Sequence, residues 1–234
     1  MKIRTIKNAS STFLKDVELE KTLSKILYEI LFVNYLDKHR KTKSKFITFE
    51  EDADMQFKGV DIIVPLRKNP MYIDMKCQTN KYINNPAPTY CVELSYLKNG
   101  EYRVGWFLDK NKITTHYLFV WLHDVSLGKG GGISRKSQIK KAEFMIVSKR
   151  DIMDFFYRKR LGKKKLDEIQ QSMRKNQEQS LVVNEVKFVC SLQLNEKPVN
   201  AIIHKAIYGK MPHTQHYMYE DGKITEIKKS KKRY

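Results

Sequence analysis

Three charged residues stand in segments whose neighbours are apolar and strand-forming. Asp61 interrupts the apolar run at residues 60–64, and Asp74 and Lys76 lie in the segment MYIDMKC at residues 71–77. Because side chains alternate along a strand, Asp74 and Lys76 point to the same face. A carboxylate within a strand is disfavoured unless it faces water or pairs with a cation. The pattern therefore indicates a site that uses these groups.

The turn between the two segments predicts how they meet. PLRKNP at residues 65–70 is bounded by prolines, which favours a hairpin that brings Asp61 towards Asp74. Two adjacent carboxylates repel each other, and a divalent cation that prefers oxygen ligands relieves the repulsion, so Mg²⁺ is the expected cofactor, with Mn²⁺ as an alternative. Lys76 is placed to orient or deprotonate an attacking water, or to stabilise charge on phosphorus. The three residues together predict metal-dependent hydrolysis of a phosphodiester.

Each acid taken alone has a simpler interpretation. Asp61 could pair with Lys58 or Arg67 at a turn, and Asp74 and Lys76 could form an exposed ion pair. Only the joint pattern favours a site over scattered surface charges.

The elements that must position these residues follow from periodicity and turn residues. Leucine and isoleucine recur at helical spacing over residues 16–37, with Asp16 as N-cap, which predicts a long helix. Asp151 is the predicted N-cap of a second helix through residue 158, and a basic helix follows over residues 158–179. Strands are predicted at residues 46–49, 59–64, 71–78, 90–94, 102–108, 115–122, 143–147, 182–194, 215–219 and 223–228.

This order of elements predicts an α/β fold, a mixed central β-sheet flanked by helices. We divide the chain into a core domain at residues 1–160 and, at residues 161–234, a basic helix and a β-rich C-terminal extension packed on the core.

The charge of the chain predicts a polyanionic partner. Lys and Arg total 45 against 26 Asp and Glu, a formal net charge of +19. Lysines gain affinity for nucleic acid by releasing its counterions. A lysine-rich proteome is the alternative explanation of the charge. We expect phosphate contacts at the densest basic cluster, although a solvated helix face would have the same composition. The cluster consists of Arg158, Lys159, Arg160, Lys163, Lys164 and Lys165.

Other potential ligands carry weaker signals. The three cysteines are far apart in apolar surroundings, which argues against a disulfide framework and against a zinc site. His213 and His216, with His204, lack an acidic or cysteine partner at ligand spacing, and Glu93 in CVELSY is a minor candidate. No signal peptide and no stretch of roughly 20 apolar residues is present. We therefore expect a soluble, cytoplasmic protein without a membrane partner.

The motif resembles that of a known nuclease group. Gly59-x-Asp61 followed by Asp74-x-Lys76 is similar to the signature of the PD-(D/E)XK nuclease superfamily, with a restriction-endonuclease-like fold, over roughly residues 16–160. Val60 stands where that family has a proline before its first acid. The resemblance implies a core helix, a mixed sheet of four or more strands and Mg²⁺-dependent cleavage of DNA.

The resemblance also extends the set of site residues. The family's first helix often contributes a glutamate, for which Glu29 is the candidate as a third metal ligand, and Gln78 matches a polar position often found after the lysine. Many such nucleases act as dimers, so a homodimer is left open.

Three functions are weighed from the sequence. The first is a Mg²⁺-dependent nuclease of the endodeoxyribonuclease type. Its catalytic residues are Asp61, Asp74 and Lys76. The second is a non-catalytic nucleic-acid-binding protein that retains the nuclease fold. The third is a structural or assembly protein whose charge reflects its proteome. The complete set of two acids and a lysine favours the first, because a binding module has no need for it.

Overall fold

A computed structural model describes residues 21–36, 47–66, 69–128 and 132–228 of the chain. The predicted cap at Asp16 lies outside these residues. The helices are α1 (residues 21–36, of which Glu29–Leu36 are π-helical), α2 (Ala53–Phe57), α3 (Lys149–Arg158), α4 (Lys163–Lys175) and α5 (Lys205–Lys210). The strands are β1 (Thr48–Phe49), β2 (Ile62–Val64), β3 (Met71–Cys77), β4 (Thr89–Lys98), β5 (Glu101–Val104), β6 (His116–Val125), β7 (Ile139–Ser148), β8 (Ser180–Val183), β9 (Val186–Cys190), β10 (Val199–His204), β11 (Gln215–Glu220) and β12 (Lys223–Glu226).

The larger sheet is mixed and has seven strands in the order β1-β2-β3-β6-β7-β11-β12. β2 and β3 form the predicted antiparallel hairpin, whereas β3 and β6 run parallel. The parallel pair requires a crossover, and the chain between β3 and β6 supplies it by forming β4 and β5. The prediction of a mixed α/β fold is confirmed.

A second, antiparallel sheet has the strand order β5-β4-β10-β9-β8. It covers one face of the larger sheet together with α3 and α4, and the core between them contains Phe119, Trp121, Val92 and Phe188, all fully buried. α1 covers the opposite face with the apolar side that its recurring leucine and isoleucine residues predict. The larger sheet is therefore enclosed on both faces, which explains the nearly continuous apolar sequence of β6.

Strands from the C-terminal third complete both sheets. β10 pairs with β4, and β11 pairs with β7. The boundary predicted at residue 160 falls in the turn between α3 and α4. The described residues after 160 are thus interleaved with the preceding ones and do not form a layer of their own.

Several predicted elements differ from the observed ones for local reasons. β5 ends at Val104 rather than residue 108, because the chain turns at Gly105. α3 begins three residues earlier than predicted, with Ser148 as N-cap. Asp151 is buried in its first turn and accepts hydrogen bonds from the backbone N and from Nδ1 of His213, at 2.8 and 2.9 Å. α2, β10 and α5 were not predicted.

Among the described residues, no helix combines the length and the apolar composition that crossing a membrane requires.

Gly105 lies so close to the backbone of β4 that a side chain there would displace backbone atoms. A Cβ at this position would lie 2.5 Å from the carbonyl oxygen of Glu93 and 2.7 Å from the carbonyl carbon of Leu94. We expect Gly105→Ala to lower the free energy of unfolding by about 1–3 kcal/mol, because backbone atoms must move to admit the methyl group. Gly209→Ala is the matched control, since its nearest neighbour would be Met145 Cε at 3.9 Å. Equal urea-unfolding midpoints for the two variants would contradict the prediction.

Candidate active site

Asp61 is fixed where the hairpin of β2 and β3 opens. The Asp61 backbone N–H donates to the carbonyl of Ile73 at 2.9 Å, just before β2 begins. β3 continues beyond this point, and the backbone N–H of Met75 donates to Oδ2 of Asp61 at 2.7 Å. The Asp61 carboxylate thus accepts the bond from an amide of β3 in the place of a backbone carbonyl, and this bond fixes the orientation of the carboxylate.

The hairpin brings the carboxyl groups of Asp61 and Asp74 together. Burial raises the pKa of Asp61, and the negative charge of Asp74 and a side-chain contact with it act in the same direction, whereas the Met75 amide and Lys76 oppose them. The resulting pKa of Asp61 is about 6, against 3.8 for the free side chain. Burial and the neighbouring Asp74 carboxylate therefore disfavour the charged form of Asp61.

Lys76 lies beside the pair on the same face of the sheet. Lys76 Nζ is 2.8 Å from Oδ1 of Asp74, and Asp74 is 7% exposed. The same Nζ lies 5.0 Å from the ring centre of Trp106. The indole face stabilises the ammonium group. Asp61, Asp74 and Lys76, which the sequence singled out, are thus neighbours in the structure.

Two further residues approach Asp74 that the sequence did not single out. Tyr117 pairs with Asp74 in the parallel ladder, and its buried hydroxyl has no hydrogen-bond partner among the described residues. Burial, and then the charge of Asp74, raise the pKa of Tyr117 well above its usual value. Burial lowers the pKa of Lys149, against the charges of Asp109 and Asp74. No sequence-local signal links these residues to Asp74, because the parallel pairing and the start of α3 bring them there.

A cleft opens beside Lys76. It has a volume of about 460 Å³, and Trp106 and Glu93 form part of its wall. Burial raises the pKa of Glu93, which its contact with the Trp106 backbone and the charge of Lys76 oppose. Glu93, the minor candidate of the sequence, therefore lies near the same amine as Asp74.

Glu29 and Gln78 are not placed as expected. Glu29 is exposed on α1, which packs on the face of the sheet opposite to Asp74 and Lys76. Gln78 donates through Nε2 to the carbonyl oxygens of Ala87 and Thr89, at 3.2 and 2.6 Å, and accepts from the Ala87 N–H at 2.9 Å. Gln78 therefore anchors the segment before β4, and its side chain is engaged there.

The basic cluster forms the corner between α3 and α4. Four of its cations are exposed, whereas Lys159 is paired with Glu185 and Lys165 with Glu168. Glutamates thus neutralise two of the six charges. A nucleic-acid-binding role for this corner stays a prediction.

A second buried carboxylate lies on β7. Glu143 is 3% exposed and contacts Nε2 of His123 at 3.0 Å, Nε2 of His216 at 2.8 Å and Nζ of Lys205 at 2.8 Å. Burial alone would raise the pKa of Glu143, but these three partners outweigh it and hold the pKa far below its usual range. Spacing along the chain gives no sign of this cluster, because Glu143 is 20 residues from His123 and 73 residues from His216, although Glu143 interrupts an apolar strand.

The residues at the pair fit a Mg²⁺ ion that keeps part of its water shell. Within the described ranges, no group of three or more His, Cys, Asp or Glu side chains has the geometry of a metal site. Glu29 is therefore not brought to Asp61 and Asp74. Mg²⁺ is commonly held by one or two carboxylates, with waters and substrate phosphates as its other ligands. Such an ion would favour the ionised form of Asp61, which burial and then the charge of Asp74 disfavour.

The raised pKa of Asp61 predicts a specific pH dependence of stability. A carboxyl group with a higher pKa in the folded state stabilises below its unfolded pKa, and this contribution is lost as the pH rises through the folded value. The loss should therefore run from pH 3.8 to about 6. We expect Asp61→Asn, in EDTA at pH 7.5, to be more stable than the wild type by roughly 1–3 kcal/mol. Parallel curves of melting temperature against pH for the two proteins would contradict this.

Glu143 should behave in the opposite way. Its lowered pKa contributes stability above the unfolded pKa near 4.5, and the contribution is lost as the pH falls below that value. Glu143→Gln should lower the free energy of unfolding at pH 7 by about 2–4 kcal/mol, because it leaves the half-buried Lys205 without its counter-charge. Glu220→Gln, which breaks an exposed pair with Lys141, should cause no measurable change in thermal unfolding.

No protein-family model, no curated protein and no solved structure matches this chain.

Proposed function

We propose that this protein is a Mg²⁺-dependent nuclease that hydrolyses phosphodiester bonds of DNA at Asp61, Asp74 and Lys76. The observation that carries the proposal is the adjacency of two carboxylates and an amine, with the pKa of Asp61 raised to about 6. Perturbed acids beside a cleft are typical of sites where chemistry occurs.

The arrangement of elements supports the proposed relation to the restriction-endonuclease-like fold. A helix packs on one face of a mixed sheet, and an antiparallel hairpin carries both acids and the lysine. The chemistry rests on the site itself.

Each residue has a role that its geometry supports. Mg²⁺, when held by the two carboxylates, would polarise the phosphate and lower the pKa of the attacking water. Asp61 is kept in place by the Met75 amide, so its free oxygen stays directed towards Asp74. Lys76 can donate to a phosphate oxygen or to the attacking water from its position between Asp74 and Trp106. Lys149 adds a second cation near the same carboxylate, which favours a polyanionic substrate.

Cleavage assays test the proposal. Plasmid and linear DNA are incubated with Mg²⁺, with Mn²⁺ and with EDTA. We expect cleavage with either metal and none in EDTA. Asp74→Asn and Lys76→Ala should each reduce the rate about 10²–10⁴-fold, the usual loss when a group that acts on the reacting atoms is removed. Asp124→Asn is the matched control, because Asp124 is exposed on β6 and should leave the rate unchanged.

The outcomes separate the three functions. Activity that survives both site substitutions would refute the assignment of the site. If the protein retards DNA in a mobility-shift assay but cleaves it with neither metal, the non-catalytic binding protein would be favoured. Neither binding nor cleavage would favour a structural or assembly role.

A further inference from the structure

We propose that the cleft beside Trp106 receives one unpaired nucleobase of the substrate, so that the site prefers single-stranded or frayed DNA to intact duplex. The inference rests on the proposed function, since it names the substrate class of the same site.

The cleft has the size and the lining of a small-molecule site. Its volume of about 460 Å³ lies within the range of about 300–1,000 Å³ that is usual for ligand pockets. Aromatic rings and carboxylates share its wall, which includes Phe57, Glu93, Tyr96, Trp106, Asp109 and Lys112.

The cleft adjoins the candidate active site through Trp106. Trp106 forms part of the wall of the cleft, and the Lys76 ammonium group lies 5.0 Å from the centre of the Trp106 ring. Asp109, on the same wall, acts electrostatically on Lys149, which also interacts with Asp74. A nucleotide whose phosphate contacts Lys76 therefore has its base within reach of the cleft.

The aromatic residues offer surface for stacking. Phe57 is 75% exposed, far more than a phenylalanine that serves the core, and Lys112 Nζ lies 5.0 Å from its ring centre and donates to its carbonyl oxygen. Every base has a π-face, so stacking on such rings binds nucleic acid without regard to sequence. Phe57 and Trp106 are the two aromatic residues we assign to this role.

The carboxylates determine which part of a nucleotide enters. Glu93, Asp109 and Glu196 line the cleft. They repel phosphate, but they accept hydrogen bonds from the amino and ring N–H groups of a base. The acidic lining therefore selects the base and leaves the backbone outside, near the lysines.

A base in a duplex cannot make these contacts. Its faces are covered by the neighbouring bases and its hydrogen-bonding edge is paired, so it must leave the stack before it can enter a pocket. Single strands and frayed ends do not need this step. The cleft therefore favours unpaired substrates over intact duplex.

Tryptophan fluorescence in EDTA reports on the cleft without cleavage. The chain has two tryptophans, and Trp121 is fully buried, so a ligand in the cleft should quench Trp106. We titrate a short oligothymidylate and a hairpin duplex with the same number of phosphates at one salt concentration. The single strand should quench Trp106 and bind about tenfold more tightly than the duplex, as expected for one stacked base. Trp106→Phe should abolish the quenching.

Phe57→Ala tests whether this ring contributes to single-strand binding. Because Phe57 is exposed, its removal should not change the melting temperature. We expect single-strand affinity to fall roughly 5–100-fold, with duplex affinity unchanged. Tyr157→Ala, which removes an exposed aromatic residue on α3 that is not part of the cleft wall, is the matched control and should bind as the wild type does.

Three outcomes would overturn the inference. These are equal affinity for single strand and duplex, unchanged affinity in Phe57→Ala, and quenching by a lysine-rich peptide but not by the oligonucleotide. The nuclease proposal fails separately. Quenching without cleavage of any substrate under Mg²⁺ would refute the nuclease and leave the base cleft, whereas cleavage without single-strand preference or quenching would do the reverse.

Discussion

The closeness of the Asp61 and Asp74 carboxyl groups is the constraint on which the candidate site depends. Burying two like charges side by side opposes folding, and the raised pKa of Asp61 expresses that opposition. The pair persists because the segments around it are fixed: Val60, Ile62 and Ile73 are fully buried. A core that over-determines the backbone can hold polar groups in positions that they would otherwise avoid.

The contrast with Glu143 shows what distinguishes a candidate metal site from a structural ion cluster. Both Asp61 and Glu143 interrupt apolar segments, and burial acts to raise the pKa of both carboxyl groups. Glu143 has three nitrogen partners within 3.0 Å, so its charge is compensated and its pKa falls. Asp61 accepts a hydrogen bond from one amide and lies beside another carboxylate, and the charge of Lys76 offsets burial and this repulsion only in part, so its pKa rises. A carboxylate inside a strand therefore indicates a cation partner, and only the neighbours show whether that partner is already part of the protein.

The sequence predicted the parts of the site that depend on local geometry. The alternation of side chains placed Asp74 and Lys76 on one face, and the prolines around the turn predicted the hairpin that aligns Asp61. The expectation for Glu29 failed because periodicity shows which side of a helix is apolar but not which face of the sheet that helix covers. Tyr117 and Trp106 were not predicted, because the parallel pairing of β6 with β3 and the second sheet bring them to the site.

The distribution of charge would determine how a nucleic-acid strand is oriented on the protein in the proposed complex. The net charge of +19 attracts a polyanion over long distances, but the cleft itself carries carboxylates, which repel phosphate at close range. In the proposed complex, a nucleic-acid backbone would thus be kept out of the cleft and held at its edge, where Lys76 and Lys149 lie near Asp74. The base would then turn towards Trp106. Attraction and local repulsion together would orient one strand so that its phosphate, rather than its base, meets the carboxylate pair.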